Sequence, residues 1–409
     1  MTSAMPKQTF LPDLELREPE GQKRKLHGVR AEELFSVLGA AAAALSTTAL
    51  LFGWFTPLTG GVGFVVVSYL LFLLFYVMLT SFSGQREEIK DRVVTVLLYS
   101  AGVILVGSLL FVVVFTLIRG SSALPHINFF TQTMEFAGPL DGLDIGGIIH
   151  AIVGTLIQIG IALLITIPLG ITTAVFLNEI GGRFAKFVRT ISDAMTALPS
   201  IVSGLFIFSA LIRTGVLQKS GLAAALAISV MMLPIIIRAS DVVLRLVPGN
   251  LREASYALGS TRWRTVWSVV LPTSRSGLVT AVILGTARGI GETSPVLLTS
   301  GITSVMNSDP TKDPMISLPL QVFTFIKSPE PNFIARGFGT AAVLLLVVLL
   351  LFALARLIGG KGPGQLSERQ RARVLHQSRL DEYRIGMRAA KREALAEAAK
   401  PIDHQTESK

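Results

Sequence analysis

The sequence predicts an all-α, polytopic membrane protein with about eight transmembrane helices. Three observations carry that reading. Of its 409 residues, 51% are hydrophobic, and the mean hydropathy is +0.60. Charged residues make up only 16%, whereas a soluble domain carries about a quarter. Apolar runs of the length needed to cross ~30 Å of hydrocarbon recur along the chain.

In chain order, residues 1–33 are polar and mixed in charge, with Lys23, Arg24, Lys25 and Arg30, and read as a cytoplasmic tail. Apolar runs follow at 34–55 and 62–82, an added helix pair with features that do not recur in the others. The first run is long and reads as a retained span, not a signal peptide. The main membrane region, 93–358, holds runs at 93–118, 148–177, 191–212, 222–237, 278–300 and 338–358. The run at 148–177 exceeds one crossing, so its ends project or tilt. Residues 119–147 and 301–335 carry Gly, Pro and Asp-Gly turn signals and read as external segments; LPLQVFTFI in the second suits a short re-entrant or interfacial helix. The basic tail 359–409 is rich in Ala, Arg, Glu and Leu and suits a helix over 365–400, too polar to span.

Charge placement orients these runs. With the N-terminus inside, the inner loops carry Arg86, Lys90 and Arg92; Arg183, Lys186 and Arg189; and Arg238, Arg245, Arg252, Arg262, Arg264 and Arg275. The outer loops carry Arg119, Arg213, Lys219, Lys312 and Lys327. The bias follows the positive-inside rule and puts both termini in the cytoplasm. It also explains the net charge of +10 without nucleic acid. A basic N-terminal cluster can touch anionic lipid, although orientation alone accounts for it.

The inner loop 248–272 reads as structured. In LREASYALGSTRWRTVWSVVLP (251–272), Glu253, Ala254, Ala257 and Leu258 suit a short helix. Gly259 ends it, because glycine tolerates positive φ. Residues 261–270 suit a second helix, with Pro272 after its end. A helix, a glycine hinge and a second helix suit a docking platform for a soluble partner, or an amphipathic loop lying on the membrane surface. Periodicity does not choose between them.

Ionisable residues inside a span cost about 2.5–3.5 kcal/mol each at mid-bilayer. The run at 278–300 holds two, Arg288 and Glu292, spaced to share a helix face and pair. Thr286, Thr293 and Ser294 add hydroxyls; Gly285, Gly289 and Gly291 permit close packing or a break, and Pro295 a kink. The pair either locks helices together or lines a path where Arg288 meets an anionic substrate. Pro199 and Pro234 also fall inside apolar runs and are expected to break helices where protein or water covers the freed groups, or to make ordinary packing kinks.

Other chemistry is excluded. With no cysteine, disulfides and Cys-ligated metals are ruled out. No phosphate-binding G-x-x-x-x-G-K-[ST] loop and no H-E-x-x-H occurs. His27, His126, His150, His376 and His404 lack ligand spacing, and His150 suits an interfacial position. No catalytic residue, metal or cofactor is expected, so the chain is not read as an enzyme and energy must come from a partner.

The loop residues resemble the EAA motif of ABC-importer permeases: Glu-Ala-Ala, then Gly four residues on, then Ile-x-Leu-Pro. Glu253, Ala254, Ser255, Gly259, Val269, Leu271 and Pro272 stand at those spacings, with Ser255 for the second Ala and Val269 for Ile. More of 93–358 resembles the PstA permeases of bacterial phosphate-specific importers, notably GGIIHAIVGTLIQIGIALLITIPLGITTAVFLNEI (146–180), LPSIVSGLF, LPIIIR, GETSPVLLTSG and SLPLQVF. The added N-terminal pair and the long basic tail depart from that pattern.

The resemblance implies a type I importer permease in the bacterial inner membrane. It implies a PstC-like permease partner, a PstB-like ATPase dimer whose cleft receives the platform, and an external phosphate-binding protein, with inorganic phosphate as substrate. The family's membrane Arg and Glu fall on Arg288 and Glu292. Alternatives are a permease for sulfate, molybdate or phosphonate, or an ATP-independent channel or secondary transporter.

Overall fold

The computed structural model describes residues 31–55, 60–82, 86–359 and 368–398. The tail readings at 1–30, 360–367 and 399–409 lie outside them. Among the described residues every regular element is helical. Seven helices are long and apolar enough to cross a membrane, and one bent helix pair can supply an eighth crossing. The chain divides into two compact units, residues 1–111 and 112–409.

In the first unit, α1 (Ala31–Leu50) continues through a π-helical turn at Leu51–Phe55 and packs against α2 (Gly61–Ser81). Ala40, Ala44 and Thr48 recur every four residues and are buried, as are Tyr76 and Thr80 on α2. Small side chains let the two backbones approach where no hydrophobic effect drives helices together in lipid. Thr48 and Thr80 return their hydroxyl hydrogens to the carbonyls of Ala44 and Tyr76. The third helix, α3 (Arg86–Gly120), begins in this unit and ends in the second. Tyr69 on α2 shares a 2.6 Å hydrogen bond with Ser100 on α3.

In the second unit, short α4 (Ile127–Thr131) leads to α5 (Ile149–Glu179), one of the core helices. Next come α6 (Gly182–Thr196) and α7 (Ser200–Ile207), which runs into a π-helical turn at Phe208–Ile212. The most buried span, α8 (Gly221–Arg245), packs on α5 and on the later helix over Leu271–Ile290. Alanines 223, 224, 225 and 227 form its close-packed part. Its Ile236 fills the space beside Gly170 of α5, where an added methyl would lie 2.6 Å from it.

The run expected at 191–212 is not one helix. A bend of 106° separates α6 from α7. Leu198 precedes Pro199, and the residue before proline is driven out of the helical region. Pro199 itself sits at φ −59°, ψ 141°, as the residue capping α7. By contrast, α8 passes through Pro234 without a break, correcting the expectation there. Two residues on, Ile236 is seated against Gly170 of α5 and Gly285 on the other side, and membrane helices tolerate proline where neighbouring protein covers them.

The platform begins with α9 (Gly249–Ala257). Beyond Gly259, α10 (Arg262–Thr265), a π-helical turn at Val266–Val270 and α11 (Leu271–Ile290) run on without interruption. Pro272 therefore does not mark the end of the second platform helix, as expected; it lies in the first turn of α11. A π turn before a proline widens the helix where the ring would meet the carbonyl four residues back. The run expected at 278–300 is likewise shifted: the crossing helix is Arg262–Ile290, followed by a separate α12 (Ser294–Thr299).

The rest of the unit closes its opposite end. The LPLQVFTFI stretch is α13 (Leu318–Ile326), buried at Leu318, Pro319, Leu320, Gln321 and Phe325. Its first N–H bonds Thr155 of α5, while Gln158 donates to the carbonyl of Met315. His150, expected at an interface, is buried beside these residues at 2% exposure. In α14 (Pro331–Gly359), the wholly buried Arg336 donates to the carbonyls of Gly142 and Ile145, both at 2.6 Å, and so clamps the 132–147 loop. In the exposed loop before α13, Asp309 accepts from the Thr311 hydroxyl and amide; those bonds hold its carboxyl below the usual carboxylate range. The basic tail contains α15 (Glu368–Ala398), whose described side chains are almost all exposed.

Candidate coupling and translocation sites

Local sequence builds the platform. Pro248 caps the start of α9, and Gly259 takes φ +77° two residues past its end, where a side chain would be strained. Thr261 caps α10 by accepting from the Arg264 amide. The two helices are stapled: Ser255 and Thr265 share a 2.9 Å hydroxyl hydrogen bond, and Thr265 is fully buried. Ser255 is where the motif resemblance expects alanine, so the departure adds a bond.

The outer surface of the platform is open. Glu253, Ala254 and Gly259 are exposed, Leu258 is 87% exposed, and Pro272 is exposed farther along. Trp263 and Trp267 stand edge to face at 5.6 Å and are both exposed. Leu271 is half-buried against the cluster of Ala174, Leu244, Val270 and Leu278. Exposed aromatic and aliphatic side chains of this kind are the usual anchors of a protein interface.

At the far end of the same helix, Arg288 lies in the last turn of α11, where a cation complements the helix dipole. Its Nη2 is 3.1 Å from Oε1 of Glu292. The spacing of four does not put both on one helix, because α11 stops at Ile290 and Glu292 sits in the break before α12. The Glu292 side chain is 8% exposed and that of Arg288 is 54% exposed. Arg288 borders a pocket of about 60 Å3 with Met195, Thr196, Leu198, Ser203, Val230, Met231 and Ile235. The bend at Pro199 and the stretch of α8 around Pro234 thus face the same guanidinium.

Thr293 and Ser294 are half-buried at the start of α12 and do not line this pocket. Pro295 is in the first turn of α12, so the chain is broken before it and not kinked at it. Its backbone presses on Gly204 of α7: a methyl at Gly204 would come within 2.6 Å of the Pro295 Cα. Only glycine permits that approach. On the other side, Gly285 and Gly289 of α11 seat Ile236 and Met232 of α8.

Charged residues that sequence reasoning did not single out gather where α5 ends. Asn178 donates to Asp241 at 2.6 Å, and Asp241 takes ion pairs from Arg189 at 3.3 Å and Arg245 at 2.8 Å. Arg252 pairs with Glu179 at 3.0 Å and donates to the carbonyl of Leu244. The available signal was two acids, Glu179 and Asp241, near the ends of apolar runs in segments rich in cations.

Residues 166–361 match the family model described as "Binding-protein-dependent transport system inner membrane component". The phosphate transport system permease protein PstA 1 of Mycobacterium tuberculosis H37Rv is 38% identical over 274 residues, 67% of this chain and 88% of that protein. The chain belongs to the PstA permease family. The PstA proteins of Mycobacterium leprae and Pasteurella multocida are 36% and 35% identical, over 64% and 60% of this chain and 86% of each relative. Among solved structures, a chain of the inward-facing MetNI methionine ABC transporter is similar at a TM-score of 0.39 and 19% identity, covering 52% of this chain and 91% of that one. This PstA-family chain is a multi-pass membrane protein. Its family-matched stretch holds the platform and the Arg288–Glu292 pair and begins beyond α1, α2 and α3.

Proposed function

We propose that the chain is a membrane permease subunit of an ABC importer that moves inorganic phosphate inward, with ATP hydrolysed on a separate subunit. The observation that carries this reading is the continuity of Arg262–Ile290. One uninterrupted helix of 29 residues, about 43 Å long at 1.5 Å per residue, has the exposed tryptophan platform at one end and Arg288 at the other. Displacement of the platform by a partner reaches the charged pair through a rigid rod.

The mechanism follows from that connection. A PstB-like ATPase dimer grips the Glu253–Gly259–Pro272 platform from the cytoplasm, where both chain termini also lie. A PstC-like permease completes the passage, and an external phosphate-binding protein delivers the substrate. Transport needs two arrangements of the helices whose balance ATP shifts through its different affinity for each. In the passage, Arg288 offsets the anion's charge. Glu292 orients Arg288 and competes for it, which keeps affinity low enough for release.

The names of the relatives, and not any feature of the pocket, supply phosphate as the substrate. The test is uptake of labelled phosphate into proteoliposomes holding the full complex, with and without the ATPase and the binding protein. ATP-dependent uptake that excess sulfate, molybdate or phosphonate does not suppress supports the proposal. Uptake driven by a gradient alone, or abolished by sulfate, overturns it.

A further inference from the structure

We propose that the Glu179–Arg252 ion pair is a second output of the platform, through which α9 moves α5. The inference rests on the permease reading above. Arg252 immediately precedes Glu253, yet its side chain turns inward and is 23% exposed, whereas Arg262 and Arg264 on α10 are exposed. Its Nη2 meets Oε1 of Glu179 at 3.0 Å and the carbonyl of Leu244 at 3.0 Å. Glu179 is the last residue of α5, and its side chain is 11% exposed.

The platform thus joins the core in two different ways. The second helix is continuous with α11, so α11 must follow it. No backbone joins the platform to α5 except through α6, α7 and α8, and Arg252 bridges that gap directly. The neighbouring Asn178–Asp241 bond ties the same end of α5 to α8, and the Arg189–Asp241 pair ties α6 to α8 beside it. Breaking a partly buried ion pair leaves a charge uncompensated, so the pair resists separation, and the Arg252 hydrogen bond to the Leu244 carbonyl holds the guanidinium in place. It suits a link that must carry load, and both residues act as positioning groups without touching substrate.

The test measures phosphate transported per ATP hydrolysed, per assembled complex, in proteoliposomes. Glu179→Gln and Arg252→Gln are each expected to keep ATPase turnover and lower that ratio roughly tenfold. The chain has no cysteine, so Glu179→Cys with Arg252→Cys can be bridged by a short bifunctional thiol reagent in complexes with cysteine-free partners. Bridging is expected to restore the ratio, and cleaving the bridge to lower it again.

A purely structural pair would reduce the amount of complex and leave the ratio unchanged; that result, or a bridge that restores nothing, overturns the proposal. Where the glutamine variants fail to assemble, Glu179→Asp keeps the charge and shortens the reach, and an unchanged ratio there overturns it equally. A wild-type complex with no ATP-dependent phosphate uptake instead brings down the permease reading, and this inference with it.

Discussion

Two arginine–glutamate pairs of nearly equal length stand in different surroundings in this molecule. Arg288–Glu292 spans 3.1 Å and Arg252–Glu179 spans 3.0 Å, and in both the carboxylate is largely buried. They differ in the arginine. Arg252 is 23% exposed, pairs with a carboxylate and donates to a helix-end carbonyl. Arg288 is 54% exposed and borders a pocket. A guanidinium carries five donors, so one satisfied contact leaves Arg288 able to bind an anion. In the mechanism proposed, the same pairing is a fastener where the cation is more covered and a receptor where it is left open.

Removing the open arginine gives the sharpest contrast. Arg288→Gln in the full complex is expected to cut labelled-phosphate uptake by roughly 100-fold, the order of loss when one positioned group that stabilises an anion is removed. Glu292→Gln is expected to do likewise, and size-exclusion profiles of both complexes should match wild type. Normal uptake in either variant removes the pair from the passage. Gly204→Val is next in size: its side chain meets the Pro295 backbone, and overpacking there is expected to cost about 1–3 kcal/mol, read as a lowered melting temperature of the complex. Gly291→Ala serves as its control, since no atom lies within 4 Å of the added methyl.

At the platform, Gly259→Ala places a side chain at φ +77°, which costs about 1–2 kcal/mol. Gly259→Pro goes further: proline cannot take that φ and loses the amide bonded to Tyr256, so ATPase activity should uncouple from uptake or the complex should fail to assemble. The smallest effect belongs to Ser255→Ala, which leaves the buried Thr265 hydroxyl without its partner. Loss of one such bond costs about 1 kcal/mol, measurable as a small thermal shift with uptake preserved. A full loss of uptake there would mean that the staple carries the stroke.

Sequence reading succeeded where the cause was local. The platform's first helix and its glycine follow from residue spacing alone, as do most of the apolar crossings. It went astray where packing decides. Pro234 does not interrupt α8, which is packed on α5 and α11 through Ile236. Pro272 is absorbed by a π turn that periodicity cannot reveal. Arg288 and Glu292 were correctly spaced to meet, but they do so across a helix end and not along one face. The Glu179–Arg252 pair joins residues far apart in the chain, and the clamp of Arg336 on Gly142 and Ile145 is as remote. No local pattern encodes either.

The sharp bend at Pro199 has an electrical consequence. Past it, α7 and its π turn supply eight and five residues, about 20 Å of helix against ~30 Å of hydrocarbon. The six-residue α12 abuts it. Thirteen helical residues do not cross the hydrocarbon alone, so the peptide groups at the ends of α7 and α12 must be covered by protein or water. A charged solute is stabilised by such groups far better than by lipid, so the barrier to crossing is expected to be lowest beside this seam. Loosening the seam is accordingly expected to let small ions leak before it alters what the molecule selects.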